Sequence, residues 1–107
     1  MARVQSLVTD LMLSSRVSEP LRAAGHEVLG GSEPDPTADL IVADLDAVDP
    51  AALAAAGPPT LGFYSHVDVD TRTAALEAGV DKVVPRSRMA RELPDLVDAL
   101  LSSAGAG

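Results

Sequence analysis

The run Ala38-Asp39-Leu40-Ile41-Val42-Ala43-Asp44-Leu45-Asp46 decides how the chain is read. Leu40 to Ala43 are aliphatic without interruption, and acids flank them, so no alternation leaves one face polar. A strand that is apolar on both faces belongs in a sheet covered on both sides, which is a parallel sheet between helices. Leu40–Asp44 is therefore a buried strand, and Asp44 is where it leaves the core.

Outward from it, short Val/Leu/Ile runs alternate with longer Ala/Leu-periodic stretches, the signature of an α/β chain. Four more strands are expected, at Val4–Thr9, His26–Leu29, Thr60–Tyr64 and Lys82–Val84. A first helix is expected from about Ser14 to Ala24, carrying Val17, Leu21 and Ala24 on one stripe. Pro20 deletes one of its bonds, so a kink or a late start near Arg16 is expected. Asp49 caps a two-turn helix ending at Ala56, with Pro50 in its first turn. Asp68 or Asp70 caps the next, and Gly79 ends it. The last helix carries Leu93, Leu96, Val97, Leu100 and Leu101 on one stripe, and tolerates Pro94 if that residue lies in its first turn. Between the second and third strands, Gly30-Gly31-Ser32-Glu33-Pro34-Asp35-Pro36-Thr37 takes the place of a helix that its prolines and glycines forbid. One domain is expected over residues 1–103, with a flexible, fraying tail at 104–107.

The 107 residues include 8 Lys plus Arg against 16 Asp plus Glu, a formal net charge of −8 at pH 7. That acid excess repels a phosphate backbone, and with one Phe, one Tyr and no Trp there is little to stack on bases, so nucleic acid is excluded as a partner. The absence of cysteine excludes disulfides, thiolate metal sites and a Cys nucleophile. No signal-like or membrane-spanning run is found, so no membrane association and a cytoplasmic location are expected.

In an open parallel sheet, ligands bind outside the carboxyl ends of the strands. That selects Thr9, Asp10, Asp44, Asp46, Ser65, His66 and Arg86. Asp10 and Asp44 end the first and third strands, Tyr64 or Ser65 the fourth and Arg86 the fifth, so acids, a hydroxyl and a base line one edge. Neighbouring carboxylates repel, and a cation, a raised pKa or a basic side chain relieves them. Acids also gather at strand ends as helix caps, and Asp10 reads more as a cap than as a catalyst. Asp44 reads less so, because it directly follows four apolar residues and a buried unpaired carboxylate is costly. No nucleophile elbow, His-x-x-x-His pair or glycine phosphate loop accompanies these residues, so the chain does not read as an enzyme.

The strand-end pattern resembles the receiver domain of two-component response regulators, a flavodoxin-like fold with five parallel strands in the order 2-1-3-4-5. Ala38 to Asp46 is similar to the family's third strand, Leu7-Val8-Thr9-Asp10 to its first. Ala23-Ala24-Gly25-His26-Glu27-Val28 and Ala74 to Asp81 are the most family-like segments. The resemblance implies Asp44 as phosphoacceptor, a magnesium site at Asp10, Asp44 and Asp46, and a switch formed by Ser65, or Tyr64, with Arg86. Departures weaken that inheritance. Thr9 stands where the family has its first magnesium acid, Arg86 replaces a lysine, Ser87 replaces a proline, and the Met-Pro turn after the phosphoacceptor is absent. Any magnesium is therefore expected to bind weakly. The second helix is replaced by the Pro/Gly loop, and apolar surface so bared must be covered by the loop, a partner or a second copy. The expected function is an atypical, stand-alone pseudo-receiver acting through an unidentified protein partner, with Arg72, Lys82, Arg88 and Arg91 on the contact face and a homodimer open to it. The alternatives are a working phosphoacceptor using Asp44 and magnesium, and a small-ligand binder of the same fold.

Overall fold

In the computed structural model, which describes residues 2–65 and 69–105, the chain runs β1 (Arg3–Leu7), α1 (Leu11–Ala23), β2 (Glu27–Leu29), β3 (Leu40–Asp44), α2 (Pro50–Ala55), β4 (Thr60–Tyr64), α3 (Val69–Ala78), β5 (Lys82–Pro85) and α4 (Arg86–Gly105). Every strand pairing is parallel and the order is β2-β1-β3-β4-β5, as read from the sequence. β3 and β4 are buried along their whole length. Side chains alternate between two cores. Val4, Val42, Phe63 and Val84 pack with Leu13, Val17 and Leu21 of α1 and Met89, Leu93 and Val97 of α4. Leu7, Ile41, Ala43, Tyr64 and Val83 pack on the other face with Leu53 of α2 and Ala75 of α3.

The Pro/Gly segment between β2 and β3 is irregular, as its composition requires. A buried glutamine holds it down. Gln5, on β1, is 1% exposed; its Nε2 donates to the carbonyls of Glu33 at 2.8 Å and Gly30 at 3.4 Å, and its Oε1 accepts from Asp35 N at 2.7 Å. One amide thus satisfies a donor and two acceptors of a backbone with no helical ladder of its own. Gly31 passes so close that a Cβ there would sit 2.9 Å from Gln5 Nε2, and its φ of +142° suits glycine alone. The loop is thus stitched to β1 by a single buried side chain.

Several boundaries differ from the sequence reading. β1 ends at Leu7, and Thr9 and Asp10 lie beyond it. α1 starts at Leu11 rather than at Ser14 or Arg16, because Asp10 caps it and the stripe Leu13, Val17, Leu21 is buried. Proline in a helix interior costs on the order of 3 kcal/mol, and burying three such side chains returns about 1.5–3 kcal/mol each, so the stripe wins over Pro20. β2 begins at Glu27; His26 instead accepts from Ala2 N through Nδ1 at 3.2 Å and places Nε2 3.5 Å from Asp98. Asp70 lies inside α3 rather than capping it, and Asp68 lies outside the described residues. α4 begins at Arg86, so Pro94 is in its interior and not in its first turn; buried Met89 extends the apolar stripe one turn earlier. The same helix continues to Gly105, and residues 106 and 107 of the expected tail lie outside the described residues.

β1 carries two buried polar residues facing opposite ways, and they should behave oppositely. Gln5→Ala is expected to lower stability by about 2–3 kcal/mol in urea unfolding and to speed amide exchange at Asp35. Ser6 is 7% exposed and its Oγ has no partner among the described residues. Ser6→Ala is therefore expected to be neutral or stabilising by up to about 1 kcal/mol in the same measurement.

Candidate functional site

β3 delivers Asp44 to the carboxyl edge of the sheet, 8% exposed. Its Oδ1 accepts from Asp46 N at 2.9 Å, and its carbonyl accepts from Ala47 N and Val48 N, so the strand ends in a tight turn around the acid. Burial pushes the Asp44 carboxyl above its ordinary range. The bond from Asp46 N opposes that rise, the Asp46 carboxylate adds to it, the Arg86 guanidinium opposes it and the Asp10 carboxylate adds to it. Asp10, Asp46 and Arg86 therefore converge electrostatically on Asp44, as the strand order requires.

Leu45 aims the next acid. Its N–H continues the ladder to Phe63 O at 2.9 Å, and its side chain folds over β4 at Gly62, where a Cβ would stand 2.7 Å from Leu45 Cδ1. This contact directs the turn toward β4, and Asp46 Oδ2 accepts from both Ser65 N at 3.1 Å and Ser65 Oγ at 2.6 Å. A glycine inside an otherwise apolar strand signals close approach of a neighbour, and Gly62 carried that signal in the sequence. Of the two hydroxyl candidates, Tyr64 is 7% exposed and packs in the α2/α3-side core, whereas Ser65 is at the rim beside the acids.

Asp10 is the N-cap of α1. Its Oδ1 accepts from Met12 N at 2.9 Å and Leu13 N at 3.2 Å, the role acids take where a helix follows a strand directly. Asp10 caps through Oδ1 and Asp46 meets Ser65 through Oδ2, so each acid keeps one carboxylate oxygen without a hydrogen bond among the described residues. Among the described residues no group of three or more His, Cys, Asp or Glu is placed to hold a metal ion. The three-carboxylate magnesium set thus does not fit these side chains as they stand, and Thr9 supplies no acid to complete it. Arg86, the first residue of α4, is exposed at the same rim. His66 lies outside the described residues.

The four basic candidates divide. Lys82 of β5 and Arg88 of α4 share a groove of about 330 Å³ with Leu96, Ala99, Leu100 and Ser103, and Arg88 Nε pairs with Glu92 at 3.2 Å. Arg72 of α3 and Arg91 of α4 are exposed outside that groove.

Two substitutions test this geometry. A carboxyl whose folded pKa is raised favours folding only while protonated, and that contribution is lost as pH rises through the folded pKa. Asp44→Asn, which keeps the acceptor for Asp46 N, should raise the Tm by a few degrees at neutral pH, with the gain shrinking on acidification. Gly62→Ala should cost about 1–3 kcal/mol in chemical unfolding and displace Leu45, seen as a changed amide shift at Ser65 when Asp46 loses its position.

No protein-family model and no curated protein matches the chain. Solved structures do. A CheY-like response regulator receiver domain protein from Methanospirillum hungatei JF-1 superposes with a TM-score of 0.84 at 16% identity, covering 100% of this chain and 99% of that one. The receiver domain of Francisella response regulator 1452 gives 0.80 at 15% identity, over 97% and 99% of the two chains. NtrX from Brucella abortus gives 0.84 at 16% identity over 98% of this chain, which spans only 27% of NtrX. The five-stranded sheet, its order and its flanking helices are those of the CheY-like, flavodoxin-like receiver fold.

Proposed function

We propose that this chain is a receiver-like signalling module that works by protein–protein contact, its phosphotransfer site partly degraded. The observation that carries this is the engagement of the flanking acids. Asp10 is bound through Oδ1 to two backbone N–H groups as a cap and Asp46 through Oδ2 to Ser65, so each offers a cation beside Asp44 one uncommitted carboxylate oxygen at most. Magnesium, which demands near-octahedral oxygen ligands, would bind such a site weakly if at all. In this reading the chain is no enzyme. The fold itself, shared with receiver domains, supports a signalling role.

The contact surface in this proposal is the face of α3, β5 and α4. Lys82 and Arg88 place positive charge beside the apolar Leu96 and Leu100 on a chain whose net charge is −8, a local contrast that would select an acidic, partly apolar partner. Arg72 and Arg91 are exposed on α3 and α4, outside the groove.

A second reading is favoured by one observation. Asp44 Oδ2 has no hydrogen bond among the described residues, and the Arg86 guanidinium acts on the carboxylate, as a phosphoacceptor with a counter-charge would require. Incubation with acetyl phosphate and magnesium, followed by intact-mass measurement, separates the two. The proposal expects no added phosphoryl group. A gain of one phosphoryl that disappears in Asp44→Ala would establish the second reading instead.

A further inference from the structure

The two faces of the sheet are covered unequally. α1 and α4, of 13 and 20 residues, lie on one face. On the other lie α2 and α3, of 6 and 10 residues, and the irregular segment 30–37 that stands in place of a helix. Between that segment and α2 runs a groove of about 460 Å³, lined by Glu33, Pro34, Pro36, Ala52, Ala55 and Ala56. Gln5 fixes the loop wall from beneath, and its two prolines have no N–H to offer, so both walls present mainly apolar carbon. Charge is divided as unequally as helix. Between Arg22 and Arg72 the chain has nine acids and no Lys or Arg, whereas the remainder holds all eight bases and seven acids, so the negative excess belongs to the segment that builds this groove. Glu33 is exposed in the lining, and Asp35 stands between the two lining prolines. Two hydrogen bonds from Thr37 hold the Asp35 carboxyl below its ordinary range, so it is ionised at neutral pH.

We propose that this groove receives a basic amphipathic helix of a partner protein, its apolar stripe on Pro34, Pro36, Ala52 and Ala55 and its Lys or Arg side chains reaching Glu33 and Asp35. The walls select a helix over an extended peptide. An extended segment needs backbone partners, which proline and the interior of a helix do not supply, whereas a helix satisfies its own backbone and asks only for side-chain contact. Alanine at 52 and 55 lets a second helix axis come close to α2. Carboxylates at the margin attract cations flanking the stripe and repel an acidic helix of the same shape. A second copy is the poorer occupant, because each copy carries a net charge of −8 and its Arg88 is already paired with Glu92. The groove shares no lining residue with the Lys82–Arg88 groove, so the two surfaces would hold partners of opposite charge on one module.

The probes are two synthetic peptides of about 15 residues, the length at which an isolated helix becomes marginally stable. Both carry one leucine stripe at helical spacing, with lysine at the other positions of one and glutamate at those of its twin. Each is titrated to about 1 mM into the whole chain labelled with nitrogen-15, a range that captures weak binding. The lysine peptide is expected to shift the amides of Glu33, Asp35, Ala52, Ala55 and Ala56 and to bind at least tenfold more tightly than its twin. Ala55→Gln fills the groove without changing charge and should weaken the lysine peptide about tenfold. Glu33→Gln keeps the backbone carbonyl that Gln5 binds and should weaken it about threefold, while Glu19→Gln, on the opposite face of the sheet, should leave it unchanged. All three positions are exposed, and circular dichroism will confirm that the variants are folded. No binding, equal binding of the twins, shifts scattered over all the acids, or indifference to Ala55→Gln would each overturn the proposal. Groove amides that move when the chain alone is diluted would overturn it too, by giving the groove to a second copy. Phosphodonor labelling reads none of these outcomes, so this docking site and the signalling proposal fail separately.

Discussion

The burial of β3 on both faces is the constraint on which everything else rests. Leu40 to Ala43 touch solvent on neither side, and the strand is hydrogen-bonded to β1 and β4 along its length. A chain in that position can become polar only at its exit, and the first polar residue there, Asp44, is held at the sheet edge with its carboxyl partly desolvated. Parallel pairing on both sides brings the exits of β1 and β4 to the same edge, so Asp10, Asp46, Ser65 and Arg86 gather around it without any long-range instruction beyond strand order.

The missing second helix shows how a fold tolerates the loss of a covering element. Prolines and glycines rule out a helix between β2 and β3, and the sheet would be bared unless something covers it. Gln5 solves this from inside the sheet. A buried amide on β1 meets the unladdered carbonyls and an N–H of the loop, so the polar backbone that replaces the helix is satisfied where it lies. An aliphatic residue at the same position would pack as well but leave Asp35 N and Glu33 O without protein partners.

At the rim, hydrogen bonding engages one oxygen of each flanking acid. A carboxylate next to a helix N-terminus finds two backbone donors within reach and becomes a cap, as Asp10 does. Asp46 takes the N–H and hydroxyl of Ser65. What remains at the centre is one buried acid with like charges nearby and a single arginine to offset them. The charges at this site are offset largely by its own side chains and backbone.

The sequence by itself determined the class of fold, the extents of β3 and β4, the irregular loop and the edge on which a site must lie, because hydrophobic runs and proline or glycine breaks are local properties; the strand order came with the resemblance to receiver domains. It also offered two readings of Asp10, cap or ligand. Only the structure showed the cap, along with the early start of α1, the long α4 that takes Pro94 into its interior, and the placement of Ser65 rather than Tyr64 at the rim. Gln5 and Gly62 had no visible role in the sequence, although Gly62 within an apolar strand hinted at one. Several of these outcomes are set by a partner distant along the chain: a loop backbone for Gln5, Leu45 for Gly62, the sheet beneath Met89 for α4. Contacts of that kind have no local pattern, and only folding brings their two halves together.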